Sequence, residues 1–121
     1  MFLIGATEIE VGTEEIFTLN YDELVAVAKI KDSYYGEKEL IREVICLYQE
    51  ASTVLTRPQR TFLYYKEKGT TSKIKFSEKA NPGIWELCEV IIKDLDGGTL
   101  IIAPSDIPNR NLYQINLTIA N

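Results

Sequence analysis

Any chemistry in this chain has to be done without histidine, because none of the 121 residues is one. That excludes Ser-His-Asp and Cys-His catalysis, histidine-ligated zinc or haem, and the side chain most used as a general base near neutral pH. Two cysteines, Cys46 and Cys88, make no four-cysteine zinc site. Gly97-Gly98 follows an acidic turn and lacks the lysine of a phosphate-binding loop. What remains for acid–base work is the carboxylate pair Asp94 and Asp96, and beside two glycines these read first as the shapers of a tight turn. A calcium site of Asp32, Asp94 and Asp96 requires two loops to meet and lacks the loop spacing of an EF-hand. The expectation is a non-enzyme with no catalytic residue, no metal and no cofactor.

Aromatic residues offer binding instead. Tyr34-Tyr35 lie in a turn-rich loop, Tyr64-Tyr65 on a strand, and Trp85 in the densest apolar run. Sugar rings stack on exposed aromatic faces, and tyrosine serves protein interfaces because it joins apolar area to a hydroxyl. Trp85 and half of each strand pair are expected in the core. Tyr34 and Tyr35, placed in a turn, are expected to be exposed and are the candidate binding residues. Cys46 and Cys88 read as buried free thiols, although in a secreted sandwich they would suggest an inter-sheet disulfide. The sequon Asn116-Leu117-Thr118 falls in a strand and is not expected to carry a glycan.

Charge narrows the partners. With 18 acidic and 13 basic residues the net charge is −5, so nucleic acid and an anionic membrane are not expected as partners. Glu8, Glu10, Glu14 and Glu15 break the apolar residues of the first 20 positions, leaving no signal-peptide pattern. No run approaches the roughly 20 apolar residues of a membrane span. A single soluble domain over 1–121 is expected, with 1–12 as an edge strand or an arm reaching a neighbouring subunit.

The elements that would position these residues are mostly strands. Gly83 to Ile102 reads as a β-hairpin, with Trp85, Leu87, Val90 and Ile92 inward, a bulge at Cys88 and Glu89, and Asp-Gly-Gly as the turn. Leu112 to Asn121 alternates most cleanly. Glu14 to Tyr21 is a strand with Phe17, Leu19 and Tyr21 inward, and Leu24 to Lys31 is the next strand candidate. Arg57 to Lys68 carries aromatics on both faces, Lys73 to Phe76 is a short alternating piece, and Pro104 to Asn111 is a loop. Glu37 to Ser52 resists this scheme, since Leu40, Ile41, Val44, Ile45 and Tyr48 fall at helical spacing and Arg42 disrupts the strand pattern. Gly83 to Leu95 also fits a helix capped by Asn81-Pro82. An α+β fold with helices near 37–52 and 82–96 therefore stands as the alternative.

The pattern G-x-W-x-L-x-x-V-x-I-x-D-x-D-G-G-x-L-x-I at Gly83 to Ile102 resembles the penultimate hairpin of Ig-like β-sandwich modules in bacterial surface proteins and bacteriophage virion proteins. Lys29 to Gly36 and Val44 to Tyr48 match the loop and strand that precede that hairpin, and Gly98 stands where such modules usually have Asn. The resemblance implies an all-β, Ig-like antiparallel sandwich of about seven to nine strands. It also implies a non-enzymatic structural or decoration protein of a phage virion, acting through contacts with other virion proteins or as a homo-oligomer, with cell-surface glycan as a further ligand. The alternatives are an extracellular or cell-surface module binding a glycan or a protein, and a small acidic cytoplasmic inhibitor. In the virion reading the termini, Met1 to Val11 and Leu112 to Asn121, add strands to neighbours, so that removing 1–11 abolishes assembly and leaves the monomer folded.

Overall fold

Residues 83–94 alternate between a buried and a half-exposed set, and this period of two makes the segment a long strand and not a helix. A computed structural model describes residues 7–51, 57–66 and 69–119. In chain order the elements are β1 (Thr7–Glu10), β2 (Glu14–Thr18), α1 (Tyr21–Lys31), β3 (Ile41–Glu50), β4 (Arg60–Lys66), β5 (Thr71–Lys75), β6 (Gly83–Asp94), β7 (Thr99–Ile102) and β8 (Ile115–Thr118), joined in places by short 3-10 turns. The chain is thus mainly β, with one α-helix among the described residues. Residues 1–6 of the edge strand or arm expected over 1–12 lie outside those residues, as do Ser52, Glu67, Lys68, Ala120 and Asn121 of other expected elements.

Six strands form one curled, mixed sheet in the order β1-β8-β6-β3-β4, with β7 beside the second half of β6. β6 is long enough to pair with β3 along one edge and with β8 and then β7 along the other. The β1–β8 pair is parallel, and β2 and β5 form a separate antiparallel ribbon. The core lies on the concave face of the sheet, where Val44, Tyr48, Tyr65, Trp85, Val90 and Ile92 meet Leu24 and Ala28 of α1 and Phe17 and Ile74 of the ribbon. Burying this contiguous apolar set is the main favourable term holding the layers together.

The segments offered as helices, 37–52 and 82–96, hold the strands β3 (Ile41–Glu50) and β6 (Gly83–Asp94) instead, with a 3-10 turn at Lys38–Leu40 and Ser52 outside the described residues, and bulges explain the misreading. Between Ile41 and Glu43 the pairing to β6 advances by one residue only, so Arg42 is extra in β3, and Ile41 and Val44 both face the core at a spacing of three. Leu47 pairs with Glu89 but Tyr48 with Leu87, which makes Cys88 the extra residue of β6, at the position expected for the bulge. A spacing of three imitates a helix.

The reverse correction falls on Leu24 to Lys31, which is helical. Tyr21, Leu24, Val25 and Ala28 make its buried face, at the spacing of one helix stripe. Asn20 caps it, its side-chain oxygen accepting from the Glu23 N–H at 3.3 Å while its amide donates to Glu23 Oε2 at 3.0 Å. Asp22 and Glu23 in the first turn and Lys29 and Lys31 in the last oppose the helix dipole with the favourable signs.

Candidate protein-contact face

β3 runs through the middle of the sheet, and Val44 to Tyr48 are all buried, so this strand is apolar on both faces. Its concave set belongs to the core. Its convex set, Ile45 and Leu47, is only 6 and 7 % exposed yet packs outside that core. Cross-strand register supplies the cover: Ile45 lies opposite Tyr64 on β4 and Ile91 on β6, Leu47 opposite Phe62, and Ile91 opposite Ile101 on β7. Directly opposed residues share a face, so these six side chains form an apolar band four strands wide across the convex side. Phe62, Tyr64 and Ile101 are 48, 49 and 54 % exposed, and the Phe62 and Tyr64 rings lie 6.4 Å apart in a tilted pair.

Charged and polar rows bound the band. On one side Lys66, Glu43, Lys93 and Thr99 are in register, with Lys66 Nζ 4.0 Å from Glu43 Oε2 and the bulged Arg42 nearby in the chain. On the other Arg60, Gln49 and Glu86 are in register, with Arg60 Nε donating to Gln49 Oε1 at 2.7 Å, and Glu89 opposite Leu47 ends the adjoining row of the band. An apolar centre inside a polar rim is the anatomy of a protein interface. Nothing in its side chains is a nucleophile held against a base.

The residues singled out from sequence meet elsewhere. Tyr35 is buried, contrary to the exposure expected of it, and Tyr34 is half-buried. The Tyr35 hydroxyl donates to Asp94 Oδ2 at 2.9 Å and the Tyr34 hydroxyl to Asp96 Oδ2 at 2.8 Å, tying the loop after α1 to the β6–β7 turn. The two loops of the conceived calcium site do therefore meet, but among the described residues no group of three acidic or sulfur ligands is placed to hold a metal. Asp94 Oδ1 instead accepts from the Asp96 and Gly98 N–H groups, each at 2.9 Å, which is the turn-shaping role. Burial pushes the Tyr35 hydroxyl up to about 12, and its bond to Asp94 adds to this. Burial also works to raise the Asp94 carboxyl, but the Gly98 N–H, the Tyr35 hydroxyl, the Asp96 N–H and Arg42 outweigh it and hold the group below its ordinary value.

Trp85 is buried, donates from Nε1 to the Asn81 carbonyl at 2.9 Å and stacks edge-on against Phe76 at 5.0 Å. Cys46 and Cys88 are free, the first buried and the second half-buried, and desolvation pushes the Cys46 thiol up to about 12. Within the strand expected at Leu112 to Asn121 only β8 (Ile115–Thr118) is strand, flanked by β1 and β6, while Leu112 and Tyr113 belong to a 3-10 turn. The apolar band was missed in the sequence, and its signal is the run V-I-C-L-Y at 44–48, apolar at both parities. No protein-family model, curated protein or solved structure matches the chain.

Proposed function

We propose that this protein is a non-enzymatic structural protein that works by protein–protein contact through the convex face of its sheet, with a second copy of the chain as partner. The observation that carries this reading is the apolar band of Phe62, Tyr64, Ile45, Leu47, Ile91 and Ile101 inside its polar rim. The exposed part of the band is Phe62 and Tyr64 on β4 and Ile101 on β7, with Ile91 half-buried beside it, and apolar surface left exposed in this way is unfavourable in water and marks an interaction site. The rim favours self-pairing. One end of the band is on balance basic (Arg42, Lys66 and Lys93 against Glu43) and the other on balance acidic (Glu86 and Glu89 against Arg60), so two copies packed face to face with their strands opposed bring unlike ends together. Two sheets packed this way lie about 10 Å apart and turn the band into the core of a sandwich between subunits.

The likeness of the Gly83–Ile102 hairpin to Ig-like modules extends the proposal to a structural or decoration protein of a phage virion. The glycan reading has less support, since it relied on Tyr34 and Tyr35, whose hydroxyls are committed to Asp96 and Asp94. Size-exclusion chromatography with light scattering over a range of concentration tests the reading. The wild type is expected to associate, and a double variant Phe62→Asp and Ile101→Asp to stay monomeric with an unchanged circular dichroism spectrum. A wild type that remains monomeric at the highest attainable concentration sinks it.

A further inference from the structure

β4 and β5 are consecutive in the chain, as in a hairpin, yet no ladder joins them. β4 is the edge of the large sheet and β5 pairs only with β2. The Gly69 N–H donates to the Lys66 carbonyl at 2.9 Å where the two strands diverge. Beyond that point a cleft of about 260 Å³ opens between them, lined by backbone and side chains of 61–64 and 72–76. A second cleft of about 280 Å³ shares Thr61 and Phe76 with the first and prolongs it toward Trp85. Two strand edges thus face each other across a gap, and where β4 and β5 approach within 8 Å it has to widen to the roughly 9–10 Å that an intervening strand requires.

The charge of the gap is opposite to that of the molecule. Among the described lining residues, Arg60, Lys73, Lys75 and Lys79 are basic and none is acidic, although the chain carries 18 acidic residues to 13 basic. Lys73 stays 74 % exposed at 3.9 Å from Glu14, so that pair leaves its charge available to a ligand. We infer that this cleft is an acceptor for an extended acidic segment of a partner protein, which enters as a strand between β4 and β5.

Unpaired N–H and C=O groups on both edges supply the affinity of such strand addition, and the pockets for alternate side chains supply the selectivity. Alternation sends one set of the ligand's side chains toward Phe76 and the concave side. The other set faces solvent beside Lys73 and Lys75, where carboxylates are favoured. The bridged ribbon and sheet then form one continuous layer. Single-stranded nucleic acid also seeks basic, aromatic grooves, but it has no use for two strand edges. This site is separate from the convex-face contact except where Phe62 and Tyr64 border both.

The test is selection of a displayed random library of 12-residue peptides on the intact protein, followed by fluorescence anisotropy of the strongest selected peptide. Expected are peptides that alternate apolar with acidic residues. Their affinity falls about tenfold or more in Lys73→Glu/Lys75→Glu, and in the same direction in Lys79→Glu, which lies outside the β2–β5 ladder. Binding weakens with salt and slows amide exchange at 61–64 and 72–75. Ile101→Asp leaves peptide binding intact while removing self-association, so failure of either site is seen without the other. The proposal is overturned if no acidic peptide is enriched, if the charge-reversed variants bind the selected peptide as tightly, or if labelled oligo(dT) displaces it.

Discussion

Asp94 stays ionised in a buried position because four donors or positive charges surround its carboxylate, and Gly98 makes room for that arrangement. A Cβ on Gly98 would stand 2.6 Å from Asp94 Oδ2, closer than any real contact. Gly98→Ala is expected to cost about 1–3 kcal/mol, the usual price of overpacking, and urea denaturation measures it. The acid limb of stability follows from the lowered Asp94 pKa. Because the folded value is depressed, its contribution is complete above the unfolded value of 3.8 and is lost as pH falls through the lower folded value. Asp94→Asn is therefore expected to lower the urea midpoint at pH 7 and to flatten its decline below pH 3.8. Parallel curves for variant and wild type would refute this assignment.

α1 is a helix because that geometry turns its apolar residues toward the shared core, and its local residues only permit that choice. Valine and isoleucine favour strands on local grounds, but as a strand Leu24 to Lys31 would present Leu24, Ala26 and Ala28 on one face and Val25 and Val27 on the other. As a helix it gathers Leu24, Val25 and Ala28 on the side that meets the core. Leu24 is fully buried there, so Leu24→Ala is expected to cost about 2–5 kcal/mol. Asn20→Ala, which removes only the cap, is expected to cost about 1 kcal/mol. Chemical denaturation of both variants decides the matter, and equal losses would mean that the cap, and not the packing, holds this element.

The molecule closes its large sheet at one edge through β1, which pairs in parallel with β8 over Thr7 to Glu10 and buries Ile9. An arm that can be removed without harm would not bury a core isoleucine. Deletion of residues 1–11 is therefore expected to lower stability by about 2–5 kcal/mol, the range for losing one large buried aliphatic side chain, and to leave the β8 edge open to pairing with other chains. A thermal melt of the deletion variant, with light scattering for aggregation, checks both effects. An unchanged melting temperature would return β1 to the status of an external arm. The charge pattern acts at this same level: self-association through the convex face is expected to weaken as salt screens the unlike ends of the band, while its apolar centre persists.

Much of the strand content, the β6–β7 hairpin with its bulge at Cys88, the turn role of Asp94 and Asp96, and the burial of Trp85 were legible because they depend on near neighbours. A period of two, a glycine-rich turn and a bulge that restores inward facing are all written within about a dozen residues. The absence of histidine needs no structure at all. Tertiary structure alone decided that 41–50 and 83–94 are strands and that 24–31 is a helix, because bulges and two-sided apolar strands erase the periodicities that tell the two apart. It also decided the candidate sites. The band exists only through the register that sets Ile45 beside Tyr64 and Ile91, and the cleft only because β4 and β5 turn to different partners after Gly69. Neither can be read from local pattern, because pairing joins residues far apart in the chain, and a strand edge is open or closed according to what lies beside it in space.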